Sequence, residues 1–304
     1  MKVLLKATAL FVFLVSWELP AQHPPKTVHV LLIGNSFSQN ATRYLPQIAE
    51  EANIKLVLGR AEMGGCSLGR HWDSVAVNNQ DSTRGLAYNK KSLRQLLSSQ
   101  KWDIVTLQQF SQLSADRATY QPYASRLDSL IKQYQPRAKI MIHQTWAYRA
   151  DAKSFGKTDG EKRAKNQEEM WQKSRMAYHQ LAKELGASQI IPSGDAFHSV
   201  ATHRERAFKR DVDFDETKAV YPMLPHEVNS LNVGYTWDKD HKLKFDPNHA
   251  NEAGCYLAAL VWYKVMLGQD PNTVKFKPES ITDEFAAFLK QTAFNTGENS
   301  RKTK

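Results

Sequence analysis

A chain of 304 residues, 41% hydrophobic and 24% charged, is long enough for one large α/β domain and too apolar to be intrinsically disordered. Its formal charge of +10 favours acidic partners such as pectic or sulfated glycans, but the Lys and Arg are dispersed and no nucleic-acid-binding motif is present, so a nucleic-acid partner is not expected. Two cysteines, Cys66 and Cys255, exclude a disulfide-rich scaffold and a cysteine-based zinc site. Because Cys255 sits in an apolar helical stretch, two separate buried thiols are expected rather than a bridge.

The first residues read as a leader. Lys2 and Lys6 give a positive start, Ala7 to Trp17 is apolar, and Leu19-Pro20-Ala21 places a small residue before Gln22. Residues 1–21 are therefore expected to be a signal peptide and 22–304 one exported domain, secreted or periplasmic. The apolar run is short for a membrane span, no Cys follows the expected cut, and no later segment is apolar enough to cross a bilayer.

In chain order, Val28 to Ile33 is an aliphatic run that ends at Gly34-Asn35-Ser36, the pattern of a buried strand stopping at a helix start. Tyr44 to Asn53 has helical spacing, Ile54 to Leu58 reads as a second strand, and Met63-Gly64-Gly65-Cys66-Ser67-Leu68 as a loop whose glycines allow positive φ. A helix is predicted over Leu86 to Leu97, a third strand over Trp102 to Gln109, a helix over Tyr120 to Tyr134 and a fourth strand over Lys139 to His143. Glu168 to Leu185 reads as a helix stopped by Gly186, and Ser188 to Ile191 as a short fifth strand. From about 200 to 244 the period is lost, so this segment is expected to be an insertion lying over the crevice. A helix capped by Asn251 and a short one over Ile281 to Leu289 follow. Alternating strands and helices imply a parallel sheet of about five strands covered on both faces, with functional groups at the strand carboxyl ends.

Those ends carry Ser36, Gly64-Gly65, Gln108-Gln109 and Gln144. Much later, Asp246-Pro247-Asn248-His249 offers an imidazole whose Nδ1–H a carboxylate on the same loop can fix, leaving Nε2 to take a proton. Ser36 is the candidate nucleophile, with its own N–H, the Gly65 N–H and a Gln side chain as donors to a developing oxyanion. Arg70 and His71 after the glycine loop, with Trp146 and Tyr148 after strand four, are candidates for a sugar subsite or, equally, for ordinary loop and core residues. Asp238, Asp240, His241, Asp246 and His249 fit no standard metal spacing, so no metal is expected. Asn40-Ala41-Thr42 is a glycosylation sequon so close to Ser36 that a glycan there would obstruct it; none is expected.

Together, Gly34-Asn35-Ser36-Phe37-Ser38, Gly64-Gly65-Cys66-Ser67-Leu68, Thr106-Leu107-Gln108-Gln109 and the Asp246 to Gly254 stretch resemble the four blocks of the SGNH/GDSL hydrolase superfamily, in a secreted bacterial branch without an assigned substrate. The resemblance runs from Val28 to about Gly268, outside the insertion. It implies a three-layer α/β/α, flavodoxin-like fold and hydrolysis of esters, often acetyl groups on carbohydrates, without a cofactor. By position it makes Ser36 the nucleophile, His249 the general base and then acid, Asp246 its orienting carboxylate and Gly65 an oxyanion donor. The departure is in the third block, where Gln108-Gln109 stand in place of Gly-x-Asn-Asp; Gln108 is favoured as the third donor and Gln109 held in reserve.

An α/β-hydrolase is disfavoured, because Ser38 replaces the last Gly of Gly-x-Ser-x-Gly and the serine follows the first strand. The expected activity is therefore that of a serine esterase on acetylated oligo- or polysaccharides. A lipid esterase on the same fold and an inactive glycan-binding protein are the alternatives.

Overall fold

The computed structural model describes residues 24–156 and 164–297. The leader assignment falls outside them. The strands are β1 (Lys26–Gly34), β2 (Ile54–Glu62), β3 (Ile104–Leu107), β4 (Lys139–His143), β5 (Gln189–Ile191), β6 (Asn232–Trp237) and β7 (Leu243–Ala250). The helices are α1 (Ser36–Ala41), α2 (Leu45–Glu51), α3 (Leu68–Gln80), α4 (Leu93–Ser98), α5 (Tyr123–Tyr134), α6 (Gln167–Leu185), α7 (Ser193–Ala201), α8 (Glu252–Leu267) and α9 (Asp283–Asn295).

Strands β1 to β5 form a parallel sheet in the order β2-β1-β3-β4-β5. That is the flavodoxin-like order, whose switch point beside β1 and β3 opens a crevice at the strand carboxyl ends. The sheet is buried on both faces, so its central strands are continuous apolar runs rather than alternating ones. Val28, Val30 and Leu32 of β1 enter a core with α1, α2, α7, α8 and α9, whereas Leu31 and Ile33 enter the opposite core with α3, α4, α5 and α6. This is the expected three-layer α/β/α fold. Helix α8 is apolar all round, as its place between the sheet and α9 requires, and Asn251 caps it by accepting from the Gly254 N–H. Among the described residues, no helix is long and apolar enough to cross a membrane.

Two expectations need correction, and one helix was not foreseen. The helix predicted over Leu86 to Leu97 is confined to α4, because Asn89 and Lys90 take positive φ in a turn that pairs Tyr88 with Lys91. The capping box of Ser92 and Gln95 starts the helix only after that turn. Helix α3 was not expected, its sequence being largely polar. The 200–244 segment is not without regular structure: α7 extends to its start, and β6 pairs antiparallel with β7 as a hairpin. Both cysteines are buried and free, and burial pushes the Cys66 thiol up to about 12.

Candidate active site

Ser36 is the first residue of α1, immediately beyond the carboxyl end of β1. Asn35 makes the turn possible. Its Oδ1 accepts from the Phe37 N–H at 3.0 Å, capping the helix, and its Nδ2 donates to the Cys66 carbonyl at 3.0 Å. One side chain therefore fixes both the Ser36 turn and the glycine loop. Gly65 takes φ +58 in that loop, a left-handed conformation suited to glycine. Among the described residues, neither the Ser36 N–H nor the Gly65 N–H has a protein acceptor. Two donors at the mouth of the crevice are thus unused by the fold.

The other half of the site comes from β7. In a regular strand, residues three apart point to opposite faces, which would separate Asp246 from His249. Here the register runs from Gly234 opposite Asp246 to Asn232 opposite Ala250, so two steps on β6 face four on β7. The resulting bulge turns both side chains to one side, a known use of bulges beside functional sites. Asp246 Oδ1 closes it by accepting from the N–H groups of Asn248 at 3.1 Å and His249 at 3.0 Å. The bulge carbonyls are held from β4's carboxyl end: Arg149 N donates to Pro247 O at 2.9 Å, and Trp146 Nε1 to Asn248 O at 2.9 Å. On the far side, Ala250 N donates to Asn40 Oδ1 at 3.2 Å, tying the bulge to α1.

With both halves in place, His249 Nδ1–H donates to Asp246 Oδ2 at 2.7 Å and Ser36 Oγ–H donates to His249 Nε2 at 2.9 Å. The carboxylate can only accept, which assigns the proton to Nδ1 and leaves Nε2 as the acceptor. The hydrogen bond that His249 donates to Asp246 raises the His249 pKa above its ordinary value against an opposing effect of partial burial. Burial pushes Asp246 up, but the hydrogen bonds from His249 and Asn248 outweigh it and the carboxyl ends below its usual range. The two shifts agree in describing a carboxylate beside an imidazole. Ser36, His249 and Asp246 are all part-exposed.

Gln108 and Gln109 do not join them. Gln108 is 1% exposed; its Nε2 donates to Asn35 Oδ1 at 2.7 Å, and its Oε1 accepts from Ser38 Oγ at 2.6 Å and His143 Nδ1 at 2.8 Å. Gln109 is fully buried, with Nε2 donating to the Thr119 carbonyl and hydroxyl and Oε1 accepting from the Leu68 and Phe110 N–H groups. The Gln109 amide is used up in holding loops and the Gln108 amide is buried against Asn35, Ser38 and His143, so the sequence-based assignment of either as an oxyanion donor is corrected. Gln108 instead braces Asn35 from behind. His143, its buried partner, is driven down to about 3 by burial and stays neutral.

The subsite candidates separate in the same way. Arg70 is exposed at the rim and donates to the Gly65 carbonyl at 3.2 Å. His71 is fully buried beneath the loop: Nε2–H donates to Gly34 O at 3.1 Å, Nδ1 accepts from the Tyr88 hydroxyl at 2.7 Å, and burial lowers its pKa to about 4. Trp146 is also fully buried, stacked between Phe37 and Phe197 with ring centroids 4.5 Å away on each side. Neither His71 nor Trp146 can touch a ligand, and Tyr148 is buried as well. Sequence reasoning missed Asn35, Ser38, His143 and Arg149 as supports; the asparagine before the serine, in a cap position, was the available signal.

The Domain of unknown function family DUF4886 matches residues 29–218, more than half of the chain. A DUF4886 family protein from Bacteroides uniformis ATCC 8492 is 26% identical, with a TM-score of 0.67 over 89% of this chain and 94% of that one. More distant likenesses are the periplasmic domain of a lipopolysaccharide acetyltransferase from Salmonella ser. Paratyphi A (11% identity, TM-score 0.47, 81% of this chain and 84% of that one) and a family 3 carbohydrate esterase from Clostridium thermocellum (12%, 0.42, 80% and 96%). No curated protein matches the chain. The shared segment spans β1, the glycine loop and β3 to β5, and by that match the chain belongs to the DUF4886 family.

Proposed function

We propose that the protein is a serine esterase that removes O-acyl groups, in particular O-acetyl groups, from carbohydrate substrates outside the cytoplasm. The observation that carries the reading is the continuous hydrogen-bonded run from Ser36 Oγ through His249 to Asp246, beside two backbone N–H groups without protein acceptors. Ser36 Oγ attacks the ester carbonyl while His249 Nε2 takes its proton, and Asp246 stabilises the imidazolium. The oxyanion lies within reach of the Ser36 and Gly65 N–H groups. As the tetrahedral intermediate collapses, His249 gives its proton to the leaving alcohol and an acyl-Ser36 ester remains. Water, deprotonated by His249, hydrolyses that ester and regenerates the serine.

Support for a carbohydrate comes from the half-exposed aromatic surface next to β7, and support for export from the leader-like residues 1–21. The test is acetate release from acetylated polysaccharides by the chain starting at Gln22, beside its Ser36→Ala variant. Release by the parent and none by the variant is the expected result; equal release by both would overturn the mechanism.

A further inference from the structure

Among the described residues, four of the seven exposed large apolar side chains lie close together in the segment before the hairpin: Val220 is 67% exposed, Tyr221 50%, Met223 69% and Leu224 47%. Exposed apolar residues that cluster in sequence and space mark a contact surface more often than scattered ones do. This cluster is also fixed in place. Trp237 Nε1 donates to Met223 O at 3.1 Å, and Met223 N donates to Val220 O at 2.9 Å. The Tyr221 ring stacks on His241 at 3.8 Å and meets Trp237 edge-on at 5.9 Å. His241 is itself held at φ +55 in a turn whose Asp238 Oδ1 accepts from the Asp240 and Lys242 N–H groups. A surface ordered before binding loses little entropy when it binds.

Two further facts choose the occupant. Residues 209–244 contain six Lys or Arg and seven Asp or Glu, so this part of an otherwise basic chain lacks the cationic collar that draws proteins to anionic membranes. Aromatic and aliphatic faces bordered by balanced donors and acceptors suit a neutral sugar, which has apolar C–H faces and a hydroxyl rim. The position is also suitable, because Trp237 pairs with Leu243 and Gly234 with Asp246 on the same hairpin. At about 3.3 Å per residue, His241 lies no more than roughly 16 Å along the chain from Asp246.

We propose that Tyr221, Trp237, His241 and Met223 form a glycan subsite that holds a neutral polysaccharide chain a few sugars from the one presented to Ser36. Its role as a substrate subsite rests on the esterase reading, whereas the binding itself does not. The experiment uses the Ser36→Ala chain, so binding is measured without turnover, by retardation in native gels containing acetylated xylan, acetylated glucomannan or acetylated pectin. Retardation by a neutral acetylated polymer is expected, weakened roughly tenfold by Tyr221→Ala and restored by Tyr221→Phe, because the ring and not the hydroxyl makes the contact. Met223→Asp, at a position 69% exposed, should weaken it as well. The proposal is overturned if no polymer retards the chain or if these substitutions leave retardation unchanged. It is equally overturned if they instead abolish binding to phosphatidylcholine vesicles or self-association. Failure of the parent to hydrolyse any ester, with retardation intact, would remove the esterase reading and leave the glycan surface standing.

Discussion

Asn35 Nδ2 donates to the Cys66 carbonyl at 3.0 Å, so the residue that precedes Ser36 also holds the loop that carries the Gly65 N–H. The proposed nucleophile and the proposed oxyanion donor are thereby positioned by one side chain. Gln108 holds that side chain in turn, through its 2.7 Å bond to Asn35 Oδ1.

Gln108→Ala would leave the Ser38 hydroxyl and His143 Nδ1–H buried without their acceptor and free Asn35 to turn. A loss of about 2–4 kcal/mol of stability is expected, measured from the urea midpoint. Ester hydrolysis should fall in the folded variant at the same time. Full activity in a folded Gln108→Ala protein would remove the bracing role.

Asp246→Asn should lower kcat by about three to four orders of magnitude, since the wrong tautomer of His249 is then favoured. The same substitution tests the pH dependence. His249 must be neutral to take the Ser36 proton, and its pKa is raised above 6.5 by Asp246, so activity should be lost as pH falls through that raised value. In Asp246→Asn the acid limb of kcat/KM should move to lower pH. An unmoved limb would mean that another group titrates.

How much of this was legible in the sequence depended on how local the cause was. The five sheet strands are short aliphatic runs, and Ser36, Gly65, Asp246 and His249 sit in compact motifs, so each could be named before the fold was known. Gln108 could not be assigned correctly, because its partners Asn35 and His143 lie 73 and 35 residues away and only the fold shows that its amide is buried against them. Strand β6 was illegible because Gly234 interrupts its alternation. Trp146 reads equally as a subsite or a core aromatic until Phe37 and Phe197 are seen covering both its faces.

Arg149 joins the hairpin to the sheet. Its side chain is 2% exposed and meets Asp151 at 2.7 and 2.9 Å and Glu227 at 2.5 and 2.9 Å, while Gly234 leaves no room for a Cβ beside it. Arg149→Met should destabilise by about 3–5 kcal/mol, because two carboxylates lose their buried partner. Adding Asp151→Asn and Glu227→Gln should recover part of that loss. Chemical denaturation of the three proteins would decide; no recovery would mean that packing, not charge, is what Arg149 supplies.

Gly34→Ala would place a Cβ 2.2 Å from Ser38 Oγ and 3.0 Å from the Gln108 amide carbon. Overpacking of this kind costs about 1–3 kcal/mol, and here it pushes on the network behind Ser36. A lower melting temperature with reduced hydrolysis is expected. Unchanged values for both would show that the turn can yield.

The most direct measurement is the reaction of the native chain with an alkyl fluorophosphonate, followed by intact mass and peptide mapping. One adduct on the peptide containing Ser36, absent in Ser36→Ala and strongly slowed in His249→Ala, is the expected result. No adduct, or one on another residue while ester hydrolysis persists in Ser36→Ala, would contradict Ser36 as the nucleophile.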